Sequence, residues 1–195
     1  MLAAEDAMDN FTNFKTVACS IAPWAEADSV CDHDPKWHEF GVLGHTKKVF
    51  NNAIEIKSLT GIDIVKAALW HDIGKFIVRY EKPDKLGEYS FKGHEKESEK
   101  YLREKCPDNF TKDDLFLVAN HGLIRGDSAA VDIVDKCNDV QLLRKLILIC
   151  AADISGKGFT KAQKEQRERL AAKFEELANL AGLDAILVKD IILKW

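Results

Sequence analysis

The sequence has no apolar run approaching the roughly 18–20 residues needed to span a bilayer, so no membrane helix is expected. It also lacks an excess of basic charge. Against 28 Lys and Arg stand 32 Asp and Glu, a formal net charge of -4. That balance argues against a general nucleic-acid coat or a polybasic membrane binder, while leaving room for a local basic pocket. The first residues carry Glu5, Asp6 and Asp9, which do not suit a secretory signal or a basic transit peptide. The five cysteines, Cys19, Cys31, Cys106, Cys137 and Cys150, are scattered and form no C-x-x-C pair. Neither a disulfide framework nor a structural zinc site is therefore expected, and a reducing cytoplasm is the simplest compartment. No repeat, low-complexity stretch or dividing linker is visible. One domain spanning 1–195 is expected, long enough to bury a real core.

What is present is helical periodicity nearly throughout. Ala7, Phe11, Phe14, Ala18 and Ile21 mark one amphipathic helix, stopped by Pro23. The segment 24–43 reads as loop. A helix is expected from about His45 to Leu59, with His45, Val49, Ala53 and Ile56 along one side. Gly61 breaks it, and Ile62, Val65 and Leu69 begin the next. Residues 79–93, with Pro83, Gly87 and Gly93, read as loop. A helix then runs from His94 to about Lys105, ended by Pro107. Thr111-Lys112-Asp113-Asp114 resembles a capping box, which opens a short helix reaching His121. The stretch from Asp139 to about Asp153 is apolar on nearly every face, the mark of a central buried helix. Beyond Gly156 and Gly158, Leu170, Phe174, Leu177 and Ala181 line one side of a long charged helix, and a last helix covers about 184–194. No strand pattern competes, so the expected class is all-α, a compact helical bundle.

Four of the six histidines fall at or near helix ends. His45 and His94 each follow a glycine and open a helix; His71 and His121 each close one. Helices packed as a bundle can bring such ends to one point, where metal sites are commonly built. Asp153 ends the most apolar helix, where the macrodipole disfavours an anion and burial of an unpaired carboxylate is costly. A metal ion would relieve both; so would a salt bridge to Lys157. Asp72, beside His71, poses the same problem. Neighbouring residues on a helix differ by about 100°, so both reach one ion only at a helix end, which Ile73-Gly74 supplies. His45, His71, Asp72, His94, His121 and Asp153 are too many for one tetrahedral centre and suit two ions sharing a carboxylate. Mixed imidazole and carboxylate ligands favour Mn, Fe, Co, Ni or Zn over Ca or Mg.

These residues carry a resemblance. His45, then His71-Asp72, then Asp153 is similar to the H…HD…D pattern of HD-domain metal-dependent phosphohydrolases. The fuller set comprises Gly44-His45-Thr46, His71-Asp72-Ile73-Gly74-Lys75, Gly93-His94-Glu95, His121 and Ala152-Asp153-Ile154 followed by Gly156. It resembles the HD domains attached to CCA-adding and poly(A)-polymerase-like nucleotidyltransferases, and those joined to bacterial and phage polynucleotide kinases. The likeness covers about 37–158. It leaves out the N-terminal helix and the segment 159–195, which is expected to pack on the domain, and the chain has no nucleotidyltransferase or P-loop kinase segment. By this resemblance His45, His71, Asp72 and Asp153 would hold one metal, and Asp72 would bridge to a second held by His94 and His121. Lys75 would face the substrate phosphate, with Asp72 and Lys75 catalytic; the other reading of Lys75 is a solvated lysine past a helix end. Arg125 and Lys157 are further candidates for phosphate contact, or surface charge.

The resemblance implies hydrolysis of a phosphomonoester or phosphodiester of a small-molecule phosphoester, nucleotide, cyclic phosphate or RNA end. Two metals would lower the pKa of a bridging water, and the resulting hydroxide would attack phosphorus in line. Other HD-fold proteins use the same ligand set as a di-iron oxygenase, and some act as non-catalytic nucleotide-binding modules. The remaining expectations are blander. The loop Cys31 to Phe40, with His33 and His38, reads as polar surface with Trp37 and Phe40 tucked into the core, in preference to a lid or substrate wall just before the first ligand. The run Lys157, Lys161, Lys164, Arg167, Arg169 and Lys173 reads as a solvated face, with Glu165 pairing to Arg169, in preference to a nucleic-acid contact. The amphipathic tail from Leu183 to Trp195 (Ile186, Leu187, Ile191, Ile192) has a face that could cover its own core or a second copy.

Overall fold

The computed structural model describes residues 4–27, 33–85 and 87–193, with side chains of the first helix described from Asn10 onward. The side chain of Ala7, and Cys31, Asp32 and Trp195, lie outside the described set. The architecture is all-α apart from one short hairpin. Its elements are α1 (Ala4–Ile21), α2 (Val42–Thr60), α3 (Val65–Trp70), α4 (Lys75–Val78), β1 (Tyr80–Glu81), β2 (Tyr89–Ser90), α5 (His94–Lys105), α6 (Lys112–Asn120), α7 (Ala130–Val134), α8 (Val140–Ser155), α9 (Lys161–Ala181) and α10 (Ala185–Leu193). No helix among the described residues is long and apolar enough to cross a membrane.

Helix α8 is the axis of the core. Asp139 caps its start by accepting from the Leu142 amide, and eleven of its residues from Leu142 to Ile154 are buried. Helices α2, α3, α6, α9 and α10 all pack on it. That explains its apolar surface on every side: a helix with neighbours all round has no solvent face to keep polar. Leu170, Phe174, Leu177 and Ala181 form the buried stripe of α9. Val188, Ile191 and Ile192 of α10 close over α9 and α8, so the C-terminal tail covers its own core while Ile186 points outward. Phe14 of α1 meets Trp70 edge-on at 5.2 Å, which seats α1 against the end of α3.

Several boundaries depart from expectation. Helix α2 begins at Val42 with Gly41 as its N-cap, so His45 stands a turn inside the helix instead of opening it. The expected loop 79–93 contains the antiparallel hairpin, with Tyr80 paired to Ser90 and Glu81 to Tyr89. Two-residue strands are too short for alternation to register. Arg79, at the foot of the hairpin, lies over the rings of Trp24 (4.0 Å) and Tyr89 (3.5 Å), which pins it to the body. The charged run 157–173 is not a uniformly solvated face. Lys157 and Arg167 are buried. Arg167 donates to the carbonyls of Ile154, Ser155 and Gly158 and so satisfies the C-terminal end of α8. Glu165 faces Lys161, 3.9 Å away, in place of Arg169.

Candidate metal centre

Helix α3 stops at Trp70, and residues 71–74 turn before α4 begins. The turn lets His71 and Asp72 aim at one region, as a helix end must for adjacent residues to do so. Gly74 makes the turn possible, because a Cβ there would collide with the His94 carbonyl and with Ser98 of α5. Helix α5 starts at His94 after Gly93, whose φ of 83° is a left-handed value suited to glycine. Helix α6 opens on the Thr111–Asp114 capping box and delivers His121 at its C-terminal end. His45 comes from α2 and Asp153 from the last turn of α8.

All six side chains meet. Asp72 Oδ2 lies 3.3 Å from His45 Nε2 and 3.1 Å from His71 Nε2. Asp153 Oδ1 is 3.1 Å from His45 Nε2 and 3.8 Å from His71 Nε2. The other Asp72 oxygen, Oδ1, lies 3.2 Å from His94 Nε2 and 3.6 Å from His121 Nε2. Asp72 thus divides two groups, His45 and His71 with Asp153 on one side and His94 with His121 on the other. His45, His71 and Asp72 on one side, and Asp72, His94 and His121 on the other, each lie close enough together to hold an ion.

The imidazoles are prepared for this. Each Nδ1 donates to a backbone carbonyl: His45 to Gly156 (3.1 Å), His71 to Ala68 (2.7 Å), His94 to Phe91 (2.9 Å) and His121 to Val118 (2.7 Å). A carbonyl only accepts, so in each neutral ring Nε2 keeps its lone pair, turned inward. The Nε2 atoms of His45 and His71 are then 3.3 Å apart, as are those of His94 and His121. Two lone pairs facing each other at that distance repel unless a metal ion or a proton lies between them. Bonds of about 2.1 Å put neighbouring ligand atoms roughly 3.0–3.4 Å apart, which matches the spacing found. Asp72 Oδ1 is buried with no hydrogen-bond donor aligned to it. The residues fit a divalent metal.

The charges agree. Burial opposes ionisation of Asp72, yet His71 and Lys75 hold it well below the usual carboxylate range. Burial likewise opposes ionisation of Asp153, and Arg125 and His45 beside it hold it far below that range. His121 is pushed well below the ordinary imidazole value by burial and by His71, so it stays neutral. Burial acts the same way on His45, but Asp153 and Asp72 outweigh it and raise its value.

Lys75 is not a solvated lysine. It is 6% exposed, and its Nζ lies 2.7 Å from Asp72 Oδ2. Asp153 does not choose between metal and salt bridge: Oδ1 faces the imidazoles while Oδ2 lies 3.1 Å from Arg125 Nη1 and 3.8 Å from Lys157 Nζ. Lys75, Arg125 and Lys157 all border a cavity of about 620 Å³ above the cluster, together with Trp37, His38 and Phe91.

The loop before α2 reverses expectation. His33 is buried, and its ring stacks on His38 at 3.8 Å. Trp37 and Phe40, expected in the core, are only half-buried. The loop is clamped to the α8–α9 junction: the Glu39 amide donates to Lys157 O, Thr160 Oγ1 to Lys36 O and Gln163 Nε2 to Trp37 O. Two histidines within six residues, just ahead of the first predicted ligand, were the one available signal for this wall of the site.

A family model, the HD domain, matches residues 42–180, well over half of the chain. No curated protein and no solved structure matches it.

Proposed function

The chain belongs to the HD-domain family, and we propose that it is a metal-dependent hydrolase of phosphate esters. The observation that carries this reading is Asp72, a single carboxylate whose two oxygens face two separate pairs of imidazoles. In this reading His45, His71, Asp72 and Asp153 hold one divalent transition metal, and Asp72, His94 and His121 a second, drawn from Mn, Fe, Co, Ni or Zn. Metal ions bound there supply Lewis acidity and a water acidic enough to ionise near neutral pH.

The chain's own residues do the rest. The Lys75 ammonium, beside Asp72, offers positive charge where phosphoryl oxygens gain negative charge in the transition state. Arg125 and Lys157 hold Asp153 Oδ2 and border the same cavity, so both can meet a phosphate. Trp37 and Phe91 give the cavity apolar faces against which a sugar or base can rest. That combination supports a nucleotide, a cyclic phosphate or an RNA end as substrate. The His71-Asp72-Ile73-Gly74-Lys75 stretch supports kinship with HD domains attached to CCA-adding enzymes and polynucleotide kinases.

The test is a panel of phosphomonoesters, cyclic phosphates and dinucleotides. It is run on protein loaded with Mn, Ni, Co, Fe or Zn, with and without air. Turnover that is indifferent to oxygen supports the reading. Loaded protein that leaves the whole panel untouched sinks it, and oxygen-dependent consumption on iron replaces it with an oxygenase.

A further inference from the structure

His33 is not one of the six clustered side chains, and it lies ahead of the matched span 42–180. Its Nδ1 is 3.1 Å from the Phe40 carbonyl, which only accepts, so Nδ1 carries the proton and Nε2 presents a lone pair. That Nε2 lies 3.0 Å from Lys75 Nζ. The ring has little freedom to move. It stacks on His38 and meets Phe91 and His45 edge-on at 5.5 and 5.6 Å.

Lysine carries its charge on a flexible four-carbon stem, so a buried ammonium needs fixed partners to hold one place. Lys75 has two. One is the ion pair with Asp72 Oδ2 at 2.7 Å, and the other is the His33 acceptor. An ammonium has three N–H groups, so donor capacity remains for the cavity that Lys75 borders. The Asp72 contact alone sets distance but not direction, because a point charge swings about its partner. The rigid imidazole supplies the second point of attachment.

We propose that His33 is a positioning residue that fixes the Lys75 ammonium towards the substrate phosphate. This rests on the phosphohydrolase reading for its effect on turnover. His33 lines the same cavity, but its Nε2 is engaged by the Lys75 ammonium, so it acts through Lys75. A displacement near 1 Å of a charge of this kind costs up to about a hundredfold in rate.

The test is a double-mutant cycle on the full-length, metal-loaded chain, using His33→Phe, Lys75→Ala and the two combined. Phenylalanine keeps a ring to stack on His38 and removes the lone pair. His33→Gln, whose carboxamide oxygen accepts, is the rescue variant, and His33→Ala replaces His33→Phe if the latter does not fold. Two quantities are read: affinity for inorganic phosphate by calorimetry, and kcat and KM on the best ester found. His33→Phe is expected to lower kcat roughly tenfold with a smaller change in KM. Added to Lys75→Ala it is expected to change either quantity less than about twofold, because partners in one interaction do not add. His33→Gln is expected to recover most of the loss. Losses that multiply in the combined variant, a Gln variant as poor as the Phe variant, or loaded wild-type protein that binds no phosphate, each overturn the proposal. If no ester is turned over, the phosphohydrolase reading fails by itself. The phosphate-affinity cycle then still decides His33: coupled losses uphold it and independent ones reject it.

Discussion

The amide of Gly74 donates to Ser98 Oγ at 2.8 Å, and this bond ties the turn carrying His71 and Asp72 to the helix carrying His94. The two halves of the site are therefore set relative to each other by a contact between a glycine and a buried serine. A side chain at position 74 has no room: a Cβ would strike the His94 carbonyl oxygen and lie 2.6 Å from the Ser98 nitrogen.

Gly74→Ala is expected to push α5 outward. Overpacking of this kind costs about 1–3 kcal/mol, read as a lower denaturant midpoint. The same shift moves His94 from Asp72 Oδ1, so elemental analysis of the purified variant should find the metal content reduced by one ion. A variant with wild-type stability and metal content would show that the two elements are not coupled here.

Ligand substitutions should separate by arithmetic. Asp72 borders both groups, so Asp72→Ala is expected to lose both ions. His94→Ala should lose one, and His45→Ala the other. Activity on the best ester should fall in each by more than the roughly 10–100-fold that losing only a ligand's outer hydrogen-bond partner costs. Retention of one tightly held ion by Asp72→Ala would contradict the bridging arrangement.

Removing metal should destabilise the fold itself. Without a metal ion the paired Nε2 atoms remain 3.3 Å apart and Asp72 Oδ1 keeps no aligned donor. Chelator treatment is expected to lower Tm. Adding back an ion at a hundred times its Kd should restore about 2.7 kcal/mol. Equal melting curves with and without chelator, on protein shown to carry metal, would refute this.

Cys150, one turn before Asp153 on α8, offers a pH test of its own. Burial pushes its thiol up to about 12, from an ordinary value of 9.0. A group whose folded value is raised holds its proton in the native state after the unfolded chain has lost it. Native stability is then fully present below about 9 and declines as pH rises towards 12, at about 1.4 kcal/mol per unit. Cys150→Ala should flatten that alkaline limb in urea titrations. In the native protein at pH 8 a maleimide should leave Cys150 unlabelled until denaturant is added.

Much of this was legible in the linear chain. The limits of α5, the Thr111 capping box and the buried stripe of α9 came out where the periodicity and caps put them. Those signals arise from residues three or four apart, so they survive without knowledge of the fold. The six candidate ligands were legible for a related reason. Histidine and aspartate at the ends of apolar helices are costly to bury, and the cost points to a common partner.

The sequence by itself determined the all-α class, the helix carrying each polar end and the identity of those ends. Only the tertiary structure decided how they face one another. His45 is oriented by the Gly156 carbonyl, 111 residues away, and Lys75 meets His33 across 42. Arg167 looked like one more charge on an exposed helix until the end of α8 was found beneath it. Side-chain direction at such distances is set by packing between elements, and no local pattern encodes it.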